Sequence, residues 1–366
     1  MNTSSSDLNQ STNTTNCCSG MICFGKRHVH HRAVYTALGA LAAVLFVVIS
    51  SLGTFYQITP QSAVITHLQK SLKRRVFVSE KHVATDNLID KLKQHGMWEL
   101  QPSQVVPRFF IESYPADLNA VTDVSIRKRV FLHSLLPHAL FVRQKALRKR
   151  GRLEFILSKI DCPLQDINFD AGLEYETRCS WADFLVEDEV NFIQELSIDY
   201  RVTTAEGLLE CVDAVPISII LAQGALESSW GSSRFTREGN SVFGMWTWKT
   251  KGMVPSMRDE GKTHKVKVYE SVLDSVRAYQ LTLNRLEPYA QFRQLRLQTD
   301  NPLLIAEGLA PYSERGDAYV EDIQNVIRSN DLQKYDSYRL SDFDLPEFSG
   351  PAINSILPDG SGKNPL

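Results

Sequence analysis

The sequence lacks the features of several common functional classes. A formal net charge of −2 gives the chain no general attraction to nucleic acid. It has no Walker-type or dinucleotide-binding glycine pattern, and neither a CxxC nor an HExxH spacing occurs in it. These absences leave no indication of a nucleotide or metal site. We therefore expect no metal, no cofactor and no nucleic-acid partner.

Cysteine is also scarce, with six among 366 residues. Cys162 and Cys179 flank a polar stretch typical of a loop, where a disulfide would suit an oxidising compartment. The sequence leaves open whether the two pair. Cys211 directly precedes an apolar run and is expected to be a packed thiol.

One uncharged apolar run, residues 33–53, is long enough to cross a bilayer as a helix. Lys26, Arg27 and Arg32 precede it, and no Lys or Arg follows until Lys70. The positive-inside rule then predicts a single-pass anchor in the inner (cytoplasmic) membrane, with the bulk of the chain in the periplasm. A cleaved signal peptide is the alternative, although the leader and the apolar run are both longer than usual.

A second apolar run, residues 215–226, carries the most informative side chain at its end. A helix that is apolar nearly all round should be buried in a domain core. Pro216 suits its first turn, and Gly231 suits a stop just past its end. Glu227 lies at the exit of this helix, on the same face as Gln223 four residues earlier.

The neighbours of Glu227 indicate its chemistry. Leu226 and Trp230 flank it, so its carboxylate should be poorly solvated, and desolvation raises the pKa of a carboxyl group. A glutamate with a raised pKa can act as a general acid near neutral pH. The alternative is a helix-end glutamate that reaches water and does no chemistry.

Glu227 also belongs to a longer motif. The string AQGALESSWG covers residues 222–231, and a basic and aromatic turn leads from it to Asn240, Phe243 and Gly244. The whole string resembles the glucosaminidase-domain hydrolases of bacterial cell walls, and the continuation into Trp246 resembles their Bax-like branch. The resemblance covers roughly residues 100–340 and is strong from about residue 200.

The resemblance implies a fold and an activity. The fold is mainly α, a lysozyme-like catalytic domain with a small β-hairpin lobe, preceded by a helical region and the N-terminal transmembrane helix. The activity is that of an endo-β-N-acetylglucosaminidase, which hydrolyses the peptidoglycan glycan strand after N-acetylglucosamine, with Glu227 as the general acid. Two alternatives stay open: a non-catalytic wall-binding protein on the same fold, and a lytic transglycosylase, which also uses a helix-end glutamate.

The resemblance places a second carboxylate in the β lobe. The alternating run 264–269 predicts a short strand, and Glu260, rather than Asp259, is predicted as the catalytic partner just before it. If Glu260 activates water, an inverting separation of roughly 6.5–9.5 Å is expected; otherwise the 2-acetamido oxygen of the substrate can attack. The sequence leaves retaining, inverting and substrate-assisted mechanisms open.

Aromatic residues complete the predicted site. Tyr312, in a Pro-Tyr-Ser turn, is predicted to be catalytic by hydrogen-bonding the acetamido group or steadying charge at the anomeric carbon. Tyr319 is expected to pack in the next helix as well as to lie near substrate. The predicted substrate contacts are Gln223, Trp230, Asn240, Phe243, Trp246, Tyr269 and Tyr319.

The predicted layout has six segments. They are a disordered cytoplasmic tail over 1–32, the anchor over 33–53, a linker with short helices over 54–110, a helical region over 111–200, the catalytic domain over 201–340 and a disordered tail over 341–366. Within it, helical patterns cover 123–160, 272–286 and 317–330. The sequence indicates no oligomeric state and no role for residues 54–200.

Overall fold

The computed structural model describes residues 84–169, 179–248, 251–256, 261 and 263–341, together with the backbone of 21–24 and 27–30. The chain divides into two units, 1–74 and 75–366. In the first, β1 (Met21–Phe24) pairs antiparallel with β2 (Arg27–His30), which differs from the wholly disordered tail that the composition predicts. The predicted anchor over 33–53 lies outside the described residues, as does the tail beyond 341. No helix of the described part is long and apolar enough to cross a membrane.

The second unit is mainly helical. Its short strands are β3 (Val105–Val106), β4 (Trp246–Thr247), β5 (Lys265–Val266) and β6 (Arg339–Leu340). Its α-helices are α1 (Thr85–Gln94), α2 (Val124–Leu157), α3 (Glu187–Tyr200), α4 (Ala205–Cys211), α5 (Ile217–Ser228), α6 (Arg234–Gly239), α7 (Val272–Arg285), α8 (Ala290–Gln298), α9 (Pro302–Ile305) and α10 (Asp317–Ser329).

Helix α2 is the long helix that the pattern over 123–160 predicts. It runs for 34 residues, and the Asp123 side chain caps its start by accepting hydrogen bonds from the backbone N–H groups of Ser125 and Ile126. Its middle, from Val130 to Val142, is buried throughout: most of the side chains are apolar, and His133, Ser134 and His138 form hydrogen bonds. The helices predicted over 272–286 and 317–330 are likewise found, as α7 and α10.

The main core joins the segment before residue 200 to the segment after it. The middle of α2 packs on α5, and buried residues of α1, α7 and α10 belong to the same cluster. Gly224 permits the close approach, since a Cβ there would lie 3.0 Å from Leu135 and 3.3 Å from Phe131. The predicted division at 200/201 therefore does not correspond to a boundary between cores.

Residues 84–110, predicted as part of a linker with short helices, contain the short helix α1 and contribute to this core. Leu88 and Leu92 of α1 are buried because they lie on one face of a helix whose other face is polar. Strand β3 pairs in parallel with β6, with Val105 opposite Arg339. The pairing joins the beginning of the unit to its end.

A smaller core surrounds the C-terminal end of α2. It contains Leu153 and Ile156 of α2 together with buried residues of α3 and α4. Cys162 and Cys179 form a disulfide with a Cα–Cα distance of 6.1 Å, which settles the pairing that the sequence leaves open. Cys211 is a buried free cysteine, as its position before an apolar run predicts.

The β lobe is small. Strands β4 and β5 pair antiparallel, with Trp246 opposite Val266 and Thr247 opposite Lys265, and Met253 bridges to Val266 from the connection between them. The predicted strand over 264–269 is thus confirmed for only two residues.

Candidate active site

Glu227 lies in the last turn of α5, beside an abrupt reversal of the chain. Ser229, Trp230 and Gly231 all have positive φ, at 50°, 58° and 78°. The side chain of Ser228 helps to hold this turn, since its hydroxyl accepts a hydrogen bond from the Gly231 backbone N–H at 2.8 Å. These three residues end the helix directly after Ser228, and Glu227 lies half-buried at the edge of the core.

Burial raises the pKa of the Glu227 carboxyl group above its usual value, and a hydrogen bond from Tyr319 offsets part of that rise. The Tyr319 hydroxyl donates to Glu227 Oε1 at 2.7 Å. The other carboxylate oxygen lies on the far side, where a Cβ on Gly244 would approach Oε2 to 3.3 Å. One oxygen of the carboxylate thus faces a buried tyrosine, and the other faces the backbone of Gly244.

Behind Tyr319 the polar contacts continue into the core. The Gln223 side-chain Nε2 donates to the Tyr319 hydroxyl oxygen at 2.9 Å, and the Tyr279 hydroxyl donates to Gln223 Oε1. Gln223 and Tyr279 have no exposed surface. Three helices therefore contribute to one chain of hydrogen bonds that ends on Glu227: α7, α5 and α10.

Tyr312 lies beside this chain without joining it. Its hydroxyl donates to the backbone oxygen of Phe243 at 2.7 Å, and its ring stacks on Tyr319 with centroids 5.8 Å apart. Burial and the nearby Glu227 charge raise the pKa of the Tyr312 phenol well above its usual value. The Tyr312 phenol is therefore a neutral donor to the backbone, whereas Tyr319 packs in the core as expected and also contacts Glu227.

Glu227 opens onto a cleft with a volume of about 980 Å³. One wall is the exposed side of α7, and the opposite side is formed by the β lobe and the 311–315 turn. Trp246 is 53% exposed and stacks on His264 with ring centroids 4.4 Å apart, and Trp248 is 72% exposed. The lining residues with charged side chains, among those the structure describes, are Glu227, Lys267, Arg285, Glu314 and Arg315.

Four of the predicted site residues line the cleft: Glu227, Phe243, Trp246 and Tyr312. Phe243 is 1% exposed and stacks on Tyr279, so its side chain belongs to the core. Glu260, the predicted second carboxylate, and its neighbour Asp259 lie outside the described residues.

The other predicted substrate contacts have structural partners. Gln223 is wholly buried, and Tyr319 reaches Glu227 from the core side. Asn240 ends α6 with a φ of 52°, and its amide donates to the Tyr269 and Glu270 carbonyl oxygens. Asn240 thus positions the backbone, and Gln223 and Tyr319 position other side chains; a sequence pattern does not separate these roles from contact with substrate.

Two aromatic residues of the prediction also turn away from the cleft. Trp230 packs against Phe131, and the Lys128 ammonium lies 4.5 Å from its ring centroid. The half-buried Tyr269 contacts Met245 through its hydroxyl, and burial raises the pKa of the Tyr269 phenol. His264 and Tyr279 also belong to the site, although neither was predicted as a site residue; the signals for them were the alternation around His264 and the stretch 267–279, which fits the resembling family.

The fold and site define a class: a mainly helical domain that presents one poorly solvated carboxylate, backed by tyrosines, to an open cleft lined by aromatic side chains. Residues 203–332 match the family model of the glucosaminidase domain, described as mannosyl-glycoprotein endo-beta-N-acetylglucosaminidase, and the chain carries this domain.

Two curated proteins are similar to part of this chain. The chain is 37% identical over 91 residues to protein Bax of Escherichia coli K12, covering 25% of this chain and 32% of that protein. It is 31% identical over 116 residues to the peptidoglycan hydrolase FlgJ of Salmonella typhimurium LT2, covering 28% of this chain and 35% of that protein. The chain thus spans about a third of the length of the curated relatives it matches.

Among solved structures, the catalytic domain of the autolysin Auto from Listeria monocytogenes is similar at 18% sequence identity. The match covers 41% of this chain and 89% of that domain, with a TM-score of 0.26. A TM-score this low does not establish a shared fold.

Proposed function

We propose that the protein is a peptidoglycan hydrolase that cleaves the glycan strand after N-acetylglucosamine, with Glu227 as the general acid. The observation that carries the proposal is the placement of Glu227: a carboxyl group with a raised pKa opens onto a cleft within the glucosaminidase segment 203–332. The name of the relative FlgJ, a peptidoglycan hydrolase, supports the choice of polymer.

In this mechanism the protonated Glu227 donates its proton to the oxygen that leaves the anomeric carbon. A carboxyl group retained in its protonated form toward neutral pH is suited to that step. When the proton has left, the Tyr319 hydroxyl already donates to Oε1 and stabilises the carboxylate without rearrangement.

The group that attacks the anomeric carbon is also a matter of proposal. Glu260 would activate water on the opposite face of the sugar; without it, the acetamido oxygen of the substrate would attack. Among the described residues that line the cleft, Glu314 is the other carboxylate. Glu314 is exposed on the 311–315 turn. To identify the second catalytic carboxylate, Glu314→Gln should therefore be measured together with Glu260→Gln.

The test is product analysis on isolated sacculi. We expect the full chain to release fragments with reducing N-acetylglucosamine ends, identified by mass spectrometry, and Glu227→Gln to lose about 10²–10⁴-fold in rate. Glu238→Gln, an exposed carboxylate paired with Arg234 outside the cleft, is the matched control and should cleave normally. Anhydro-muramyl ends would assign a lytic transglycosylase instead, and wall binding without cleavage would assign a non-catalytic protein.

For location, we propose a single-pass anchor at 33–53 with residues beyond about 60 in the periplasm. The charge asymmetry around the apolar run supports this orientation, and the Cys162–Cys179 disulfide suits an oxidising compartment. A reporter that is active only in the cytoplasm, fused near residue 340, should be silent. A strong signal from that fusion would contradict the proposed topology.

A further inference from the structure

The hydrogen bonds behind Glu227 form a chain with a direction. Tyr279 donates to Gln223, Gln223 donates to Tyr319, and Tyr319 donates to Glu227 Oε1. A hydroxyl group can donate or accept, and a side-chain amide can exchange the places of its oxygen and nitrogen by rotating half a turn. The same heavy atoms could therefore support the opposite direction.

The opposite direction would change what Glu227 does with its proton. If the amide were reversed, Tyr319 would donate to Gln223, and its oxygen would be left to accept. A protonated Glu227 would then donate from Oε1 to Tyr319, into the core. Its proton would point away from the cleft and would not be available to a substrate.

The environment of Tyr279 selects between the two directions. Tyr279 is wholly buried, and its ring stacks on Phe243 with centroids 4.0 Å apart. Among the described residues, Gln223 is the hydrogen-bond partner of its hydroxyl. With the amide reversed, Tyr279 would accept from nitrogen, and its own proton would be buried without an acceptor, a loss that proteins avoid. Tyr279 therefore orients the Gln223 oxygen toward itself.

On this basis, and resting on the function proposed above, we propose that Tyr279 is a positioning residue that fixes the Gln223 amide, so that Glu227 carries its acidic proton on Oε2. Because Oε1 accepts from Tyr319, the proton of the acid form belongs on the other oxygen. Oε2 is the oxygen next to Gly244, which lines the cleft.

The groups that titrate around Glu227 do not offer another explanation for its proton placement. Four tyrosines feel its charge: Tyr279 of α7, Tyr289, Tyr312 and Tyr319 of α10. Burial is the main cause that raises the pKa of each phenol, so all four stay neutral near pH 7. The effects on Glu227 itself come from burial and from the Tyr319 hydrogen bond.

The variant that tests the proposal is Tyr279→Phe, which retains the ring stacked on Phe243 and removes only the hydroxyl. The amide is then free to reverse, and part of the population has the proton of Glu227 held by Tyr319. That arrangement stabilises the acid form. We expect kcat to fall about 3- to 10-fold with little change in KM, and the alkaline limb of the pH–rate profile to move to higher pH.

The matched control is Tyr335→Phe, which removes the hydroxyl of another buried tyrosine, bonded to His133 outside the cleft. The pH titration of Glu227 is also followed without substrate, by carboxyl ¹³C NMR of the full chain with Glu227→Gln for assignment. The titration should move to higher pH in Tyr279→Phe and stay at the wild-type position in Tyr335→Phe.

An unmoved Glu227 titration in folded Tyr279→Phe, or an equal movement in Tyr335→Phe, would overturn the proposal. If Tyr279→Phe does not fold, Gln223→Met takes its place, because it removes the amide that donates to Tyr319 without adding a charge, and the Tyr319 hydroxyl is then free to accept the proton of Glu227. The same upward movement is then expected, and its absence would refute the assignment. A wild-type protein that cleaves no glycan would refute the proposed function, whereas the resting titration would still decide the role of Tyr279.

Discussion

The Tyr319 hydroxyl donates to Glu227 Oε1 across 92 residues of sequence at a distance of 2.7 Å. This contact joins the end of α5 to the start of α10 at the rim of the cleft. It lowers the pKa of Glu227 while burial raises it, so the acidity of the carboxyl group depends on the balance of two opposing effects.

Removing the Tyr319 hydroxyl should shift that balance. In Tyr319→Phe the pKa of Glu227 rises, because the hydrogen bond to its charged form is lost while burial persists. A general acid works only when it is protonated, so the alkaline limb of the pH–rate profile should move to higher pH. The kcat of the variant should also be lower than that of the wild type. In Tyr312→Phe the limb should stay in place, and the melting temperature should fall by the equivalent of about 0.5–1.5 kcal/mol. If the alkaline limb moves in Tyr312→Phe and not in Tyr319→Phe, then Tyr312, and not Tyr319, sets the pKa of Glu227.

Glu227 should also lower the stability of the fold near neutral pH. The pKa of its carboxyl group is higher in the folded chain than in the unfolded chain, so the folded state binds more protons, and the free energy of unfolding decreases as pH rises through that interval. Glu227→Gln should therefore melt higher than wild type at pH 7, with a smaller difference at pH 4. Thermal melts at the two pH values measure this, and a wild type that is the more stable at pH 7 would contradict it.

Gly244 should be intolerant of a side chain for two reasons. Its φ is +60°, and a Cβ would lie 3.3 Å from Glu227 Oε2. Gly244→Ala should cost about 1–2 kcal/mol of stability through backbone strain and also reduce kcat by crowding the carboxylate. Gly96→Ala is the matched control, since φ there is +65° with nothing within 4 Å of the added Cβ. Equal turnover in the two variants would show that Oε2 is not affected.

The exposed Trp246 should contribute to binding rather than to chemistry. It stacks on His264 at the cleft wall, and an aromatic face covered by a sugar ring leaves water on binding. Trp246→Ala should raise KM for glycan about tenfold with kcat little changed. Phe155→Ala, which removes an aromatic side chain 56% exposed and outside the cleft, should leave both constants at wild-type values. A fall in kcat alone would place Trp246 in the chemical step.

The Cys162–Cys179 disulfide should stabilise the smaller core. It closes a loop with a sequence separation of 17, for which the chain-entropy model gives about 3 kcal/mol. Cys162→Ser should lower the melting temperature, and a reducing agent should lower that of the wild type to a similar value while leaving the variant unchanged. If the reductant has no effect on the wild type, the disulfide is not present in solution.

The sequence located Glu227 but not the groups that act on it. A single carboxylate at the end of an apolar run shows in the pattern of one helix, and the four-residue spacing correctly placed Gln223 on its face. The partners of Gln223 come from α7 and α10, 56 and 96 residues away. Nothing local in their segments distinguishes a tyrosine that meets Glu227 from one that meets a backbone carbonyl, so the sequence did not show that Tyr319 donates to Glu227 and Tyr312 to Phe243.

For the fold too, the sequence predicts local elements but not the contacts between distant segments. The helices α2, α7 and α10 follow from apolar periodicity within single segments. One core contains residues from both sides of the predicted division at 200/201. The apolar middle of α2 on its own is equally compatible with the core of a separate helical region. The close approach of Leu135 and Phe131 to Gly224 is one of the contacts that join both segments in one core.

Because the two segments share one core, the active site depends on residues outside the segment that lines the cleft. A fragment cut at residue 201 would retain every residue that lines the described cleft, yet it would lose the helix that shields one side of α5 from water. The helix that carries Glu227 would then be more exposed to water. The carboxyl group would be better solvated, and its pKa would fall. The acidity of this carboxyl group thus depends partly on residues of α2 that do not line the described cleft.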